Sequence, residues 1–195
     1  LSDATEGAVA VEVQPMPLDR VTSLEQTAAG IVDLYLDSSF VYGSYGDGEE
    51  LGSPFFSLTM PFLFPDAETV AEVLDSTGGE ALNGVLAELG LRGLAYGELG
   101  FRYPTTSEGR AVTAPEDLEG LKIRTAGMLE VSVAYVDCWG AELYPSSFLD
   151  VMTPLSAGYY DGQESTLAEA DAAGYQTVQT DVTIFPAFYE PAILT

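Results

Sequence analysis

The chain has 195 residues, 47% of them hydrophobic, enough to bury a real core in one or two globular units. Against 31 Asp and Glu stand only six Lys and Arg, for a formal net charge of -25, and there is no histidine. Such a polyanion repels nucleic-acid phosphates, no apolar run approaches the ~18 residues that cross a bilayer, and the missing histidines remove His-based zinc sites and nucleophile pairs.

The acids are scattered rather than clustered, and Lys122 is the single lysine. That is the pattern of a solvated surface kept soluble at high ionic strength, and it points to a salt-loving source. Near 1 M salt the Debye length falls to about 3 Å, so self-repulsion and the repulsion of anionic ligands are screened. Cys138 is also single, which excludes an internal disulfide and reads as a small buried residue. The sequence opens at LSDATEGAVAVEV without a basic, apolar leader.

In chain order, AVAVEV at 8–13 predicts a strand. SLEQTAAGIVDLYLDSS predicts a helix from near Ser23, a turn at Gly30 and a strand over Val32 to Leu36. A glycine-rich loop at 42–54 leads to Asp66, placed to cap a helix whose apolar face is Val70, Val73 and Leu74. A second helix carries Leu82, Val85, Leu86 and Leu89 and ends at Gly90. RGLAYGELGF at 92–101 reads as a strand, and Thr113 with Glu116 reads as the capping box of a short helix with Pro115 in its first turn.

LKIRTA is the next predicted strand, MLEVSVAYVDCWG a helix, AELYP a strand, and SSFLDVMTPLSAG a helix broken near Pro154. YYDGQES and TVQTDVTIF supply extended segments around a helix, TLAEADAAG. Short strands alternating with helices predict an α/β protein with mixed, largely parallel sheets, and no internal repeat, low-complexity segment or interdomain linker interrupts it.

Arg124, in GLKIRTAG, falls at the carboxyl end of a predicted strand just before a helix, where open α/β sheets place their ligand crevices. Its planar guanidinium can take a carboxylate through two parallel hydrogen bonds. From spacing alone, a surface arginine paired with Glu116, Asp117 or Glu119 fits as well. Glu164 with Asp161 could form a carboxylate pair for glycoside hydrolysis, although no motif accompanies it.

PFLFPDAET, GLRGLAYGELGFR, TAPEDLEGLKIRTAG, CWGAELYP and SSFLDVMTPLSAGYYDGQES occur in that order. On these segments the chain resembles the solute-binding proteins of TRAP transporters, of the C4-dicarboxylate-binding type, over roughly residues 8–195. The resemblance implies a two-lobed, periplasmic-binding-protein-like α/β architecture with the ligand cleft between the lobes. Residues 1–100 would form mainly the first lobe and 101–195 mainly the second, with strands crossing back at the hinge. It implies a periplasmic or extracytoplasmic protein that captures a small organic acid by hinge closure and hands it to a sodium-driven membrane permease. No enzymatic activity, cofactor, metal, nucleic acid or direct membrane insertion is implied. A ligand-sensing domain of a receptor would use the same pocket.

Carried over to this sequence, Arg124 is the arginine that pairs with the ligand carboxylate, and Arg102, in a longer loop than the family's, is a second arginine near the ligand. Phe148 packs on the ligand, and Glu164, with Gln163 beside it, buttresses the pocket by orienting Arg124. Ser165 stands where the family usually has asparagine, and a histidine common further on in the family has no counterpart. The resemblance also implies a further strand and helix before VEVQP and helices after PAILT.

Overall fold

A computed structural model of the protein describes residues 2–14, 19–45 and 53–195. Its first helix, α1 (Arg20–Ala28), begins three residues before the predicted Ser23 because the Asp19 carboxylate accepts from the Thr22 amide, an N-cap at 3.1 Å. Gly30 turns the chain at φ +70°, and β1 (Leu36–Ser38) follows later than predicted. Two helices, α2 (Ser39–Gly43) and α3 (Ser53–Ser57), flank the glycine-rich segment, of which 46–52 lie outside the described residues. Residues 8–14 form no strand. No described strand pairs with them and Val13 is 83% exposed, so the alternation of AVAVEV has no sheet to bury its apolar side.

Asp66 caps α4 (Ala67–Leu74) as predicted, accepting from the Thr69 amide at 2.8 Å. α5 (Thr77–Glu88) buries Leu82 and Leu86 on its inner face. The strand predicted at 92–101 is longer and later, β2 (Ala95–Thr106). The short helix at 115–118 forms, but Asp117, not Glu116, receives the Thr113 amide and hydroxyl, each at 2.8 Å. Then come β3 (Lys122–Thr125), α6 (Leu129–Ser132) continuing into a π-helical turn at Val133–Cys138, and β4 (Glu142–Pro145). The Cys138 thiol is exposed rather than buried. A 3-10 turn at Phe148–Asp150 and α7 (Met152–Ser156) replace the single broken helix. β5 (Gly162–Thr166) leads into α8 (Leu167–Ala173), a 3-10 turn at Tyr175–Thr177, β6 (Asp181–Val182) and β7 (Phe188–Leu194).

The strands form one mixed sheet in the order β1-β7-β2-β5-β3-β4, with β6 pairing the end of β2. Its parallel share is smaller than the alternation suggested. β3 pairs in parallel with β4 and β5, while β1, β2, β5, β6 and β7 pair antiparallel among themselves. β7 had no sequence signal, because Pro191 lies inside it. The ladder tolerates this proline beside a bulge, where the register against β2 shifts between Glu98 and Gly100.

Three apolar clusters pack on the sheet. One joins α1 to α5 with Tyr189 and Ile193 of β7. A second gathers Ile123, Val131, Tyr135 and Phe188, and a third Val151, Leu155, Ala170 and Tyr175. The long β2 runs from the first cluster, at Tyr96 and Phe101, to its pairing with β5.

Close approach of β5 to β2 depends on Gly162, where an added Cβ would lie 2.4 Å from the Thr105 carbonyl oxygen. Gly162→Ala should therefore spread the two strands and cost about 1–3 kcal/mol. Urea unfolding measures this, and an unchanged midpoint would contradict the contact.

Candidate functional site

The two arginines singled out in the sequence are both buried, Arg102 3% and Arg124 2% exposed, yet they lie in opposite surroundings. Arg124 pairs in register with Gln163, and Gln163 with Thr105. Partners in register share a face and neighbours along a strand alternate, so Arg124, Gln163 and Thr105 face one side and Arg102, Glu164 and Thr125 the other.

On the second side, Arg102 is the hub of an ionic network. Its Nε donates to Glu164 at 2.7 Å, Nη2 donates to the same carboxylate at 3.1 Å, and Nη1 donates to Glu190. Glu169 approaches to 3.7 Å from α8. The free oxygen positions of Glu164 are also used: Thr125 donates its hydroxyl at 2.8 Å and Ala126 its amide at 3.4 Å. Burial alone would lower the Arg102 pKa, but Glu164 and Glu190 outweigh it and hold the guanidinium well above its usual range. Glu164 therefore does not orient Arg124, as the sequence suggested; its ion pair is with Arg102, on its own face of the sheet.

Arg124 has no such company. Among the described residues no carboxylate makes an ion pair with it, and the surface candidates Glu116, Asp117 and Glu119 do not either. Its Nε and Nη2 straddle the carbonyl oxygen of Ser146, at 3.2 and 2.5 Å, with the Ser146 hydroxyl 3.3 Å from Nε. That backbone oxygen fixes the side edge of the guanidinium fork and leaves the end edge, with Nη1, for another acceptor. Burial lowers the Arg124 pKa, and the more distant Glu164 offsets it only in part.

Phe148 lies next to this side, half-buried, with its ring 6.1 Å from that of Tyr175. Gln163 is fully buried and starts a relay: its Nε2 donates to Thr105 Oγ1 at 2.8 Å, which donates to Gln179 Oε1 at 3.2 Å, and Gln179 Nε2 donates to Ser107 Oγ at 2.8 Å. Gln163 Oε1 and the Tyr175 hydroxyl are buried without partners. Ser165 spends its hydroxyl on the Thr166 carbonyl at 3.1 Å.

The geometry thus brings Arg124, Gln163, Phe148 and Tyr175 into one neighbourhood and separates Arg102 and Glu164 from it. Sequence reading missed Ser146, Glu190 and Tyr175. Ser146 acts through its backbone, and Glu190 sits in the strand hidden by Pro191. Tyr175 follows DGQES by a helix that its own sequence does not mark as part of a site. A cavity of about 440 Å³ between α3, α4 and α5 is lined by apolar residues of the first cluster, such as Leu58, Leu74 and Leu82, and by neither arginine.

This mixed α/β fold is that of TRAP periplasmic solute binding proteins. The solved structure of one from Ochrobactrum anthropi, with its C-terminus bound in the ligand-binding pocket, matches 99% of this chain and 58% of that one at a TM-score of 0.82 and 31% identity. Another, from Polaromonas sp. JS666 and bound to D-erythronate, matches 99% of this chain and 62% of that one at a TM-score of 0.84 and 28% identity. The chain belongs to the bacterial extracellular solute-binding protein family 7, whose family model matches residues 1–195.

Among curated relatives, a solute-binding protein of Verminephrobacter eiseniae is 38% identical over 136 residues, 70% of this chain and 40% of that protein. The 2,3-diketo-L-gulonate-binding periplasmic protein of Escherichia coli is 34% identical over 137 residues, 70% of this chain and 41% of that protein. The chain spans about half the length of the curated relatives it matches. No helix among the described residues is long and apolar enough to cross a membrane.

Proposed function

We propose that this chain forms the carboxylate-holding part of a periplasmic or extracytoplasmic solute-binding protein, which captures a small organic acid and delivers it to the permease of a TRAP transporter. One observation carries the reading. In a chain with 31 acidic residues, a buried arginine lacks any ion-pair partner among the described residues. An unpaired buried charge is costly to the protein alone, and a ligand carboxylate on the free edge of the fork supplies what is missing. Arg124 takes the carboxylate in this reading, Phe148 packs on the ligand, and Gln163 lies behind them. Arg102 and Glu164 serve as scaffold that holds β2, β5 and β7 together.

Residues 1–100 form mainly one lobe and 101–195 mainly the other, with β7 returning to the first. The division of the apolar clusters supports this, since the first draws on residues 24–91 and on Tyr189 and Ile193. Closure of the lobes on the acid couples capture to the hinge. D-erythronate, bound by the Polaromonas protein, is an acid of the kind the site suits. The protein acts as a binder and not as a hydrolase. Glu164 is committed to Arg102, and Asp161 to the Lys122 amide at 2.9 Å and to Arg110 at 3.3 Å, which leaves neither carboxylate free for acid-base work.

A thermal-shift screen of organic acids in high salt tests the reading. A cognate acid at a hundred times its Kd should stabilise the folded protein by about 2.7 kcal/mol, seen as a raised melting temperature. A broad panel of mono- and dicarboxylates that leaves the melting temperature unmoved would overturn it.

A further inference from the structure

The chain has six cationic side chains, and five of them are accounted for elsewhere. Arg20 pairs with Asp37, Arg102 with Glu164 and Glu190, and Arg110 with Asp161. Lys122 lies 6.0 Å over the ring of Tyr159, and Arg92 is exposed. Among the described residues Arg124 is thus the one buried cation left for an anion. The other charges that act on it are Glu164 and Glu169, which attract it, and Arg102, already neutralised by its own carboxylates. A second ligand carboxylate would meet no free cation among the described residues on this side of the sheet.

The groups that do lack partners on this side are neutral. The Tyr175 hydroxyl is unpartnered on a side chain that is 1% exposed, and its ring packs beside Phe148. Gln163 Oε1 is the other. Reversing the Gln163–Thr105–Gln179–Ser107 relay would present Nε2 in place of Oε1, and either atom is an uncharged hydrogen-bonding group. Buried polar atoms are seldom left without a partner, so two beside one unpaired guanidinium indicate where a ligand's oxygens complete the set. Burial raises the Tyr175 pKa, against the pull of Arg124, and so keeps the phenol a donor at neutral pH.

We infer that the acid held by Arg124 is a hydroxylated monocarboxylate, and that Tyr175 is a second binding residue whose phenol bonds an oxygen beside the Arg124–carboxylate contact. The inference rests on the reading of Arg124 given above. Both groups are enclosed, so the acid enters only if their cover shifts; that cover adjoins the turn Phe148–Asp150, where Leu149 is 75% exposed.

Calorimetric titration of the full chain with D-gluconate, D-glucuronate and succinate tests it, using the wild type, Tyr175→Phe and Arg124→Ala. At least one of the two sugar acids should bind ten times more tightly than succinate. Tyr175→Phe should weaken that acid about tenfold, the loss of one hydrogen bond. The unliganded variant should melt no lower than the wild type, because the hydroxyl it loses has no partner in the protein. Succinate binding as tightly as the sugar acids, wild-type affinity in Tyr175→Phe, or a melting temperature several degrees lower in that variant would each overturn the inference. If Arg124→Ala abolishes binding while Tyr175→Phe leaves it unchanged, the inference fails and the reading of Arg124 stands. If Arg124→Ala binds as the wild type does, or no acid in the set binds the wild type, both fall.

Discussion

Arg102→Leu should lower the unfolding free energy by about 3–5 kcal/mol, the cost of breaking a buried ion pair from one side. The loss is large because a single guanidinium is the shared partner of two buried carboxylates, Glu164 and Glu190, and is approached by a third, Glu169. Taken from a domain stable by roughly 5–15 kcal/mol, it would bring the protein close to unfolding at room temperature. Lysine should recover only part of the loss, since a compact ammonium lacks the planar fork that takes Glu164 through Nε and Nη2 while Nη1 reaches Glu190. Leucine with both glutamates changed to glutamine should recover more, because it removes the stranded charges. Urea unfolding decides the matter. A shift below about 0.5 kcal/mol, as for an ordinary surface residue, would show that the network contributes little.

Arg124→Ala should have the opposite signature, with affinity for the acid falling more than a hundredfold and the unliganded fold little changed. Removing one partner of a buried, hydrogen-bonded charge pair costs about 3–5 kcal/mol of binding. The unliganded protein loses the contacts to Ser146 but is also relieved of an uncompensated buried charge, so these two effects oppose. Arg124→Lys should bind poorly as well, because an ammonium cannot both hold the Ser146 carbonyl and offer a second edge. Retained micromolar affinity in Arg124→Ala, measured by calorimetry, would remove Arg124 from the site. The two variants together form a cross-check, since stability follows one arginine and affinity the other.

Much of the second half of the fold was legible from the sequence. LKIRTA and AELYP were recognisable as strands because short β-branched and apolar runs there are bounded by Gly and Pro, and Asp66 announced its helix through a cap that needs only local chemistry. What failed was long-range. AVAVEV has the period of a strand and, among the described residues, no strand to join, whereas β7 has a partner on each side and a proline that hides it. For the site, the residue types at Arg124, Gln163 and Phe148 could be nominated from their motifs. The division of the two arginines between faces could not, since it is set by register across three strands. Tyr175 was invisible for a similar reason: its significance is a missing hydrogen bond, and no sequence pattern records one.

The irregularity between Glu98 and Gly100 settles which residue becomes the hub of the ionic network. The extra residue there changes the phase of β2 against β7, so that Gly100 lies across from Glu190 and Arg102 across from Phe188, while Phe101 meets Tyr189 among the apolar side chains. Were Leu99 instead paired with Glu190 in a regular ladder, Phe101 would fall across from Phe188 on the face of the two glutamates, and Arg102 would turn to the opposite, apolar face. One uncounted amino acid therefore keeps the positive charge and its acids on speaking terms.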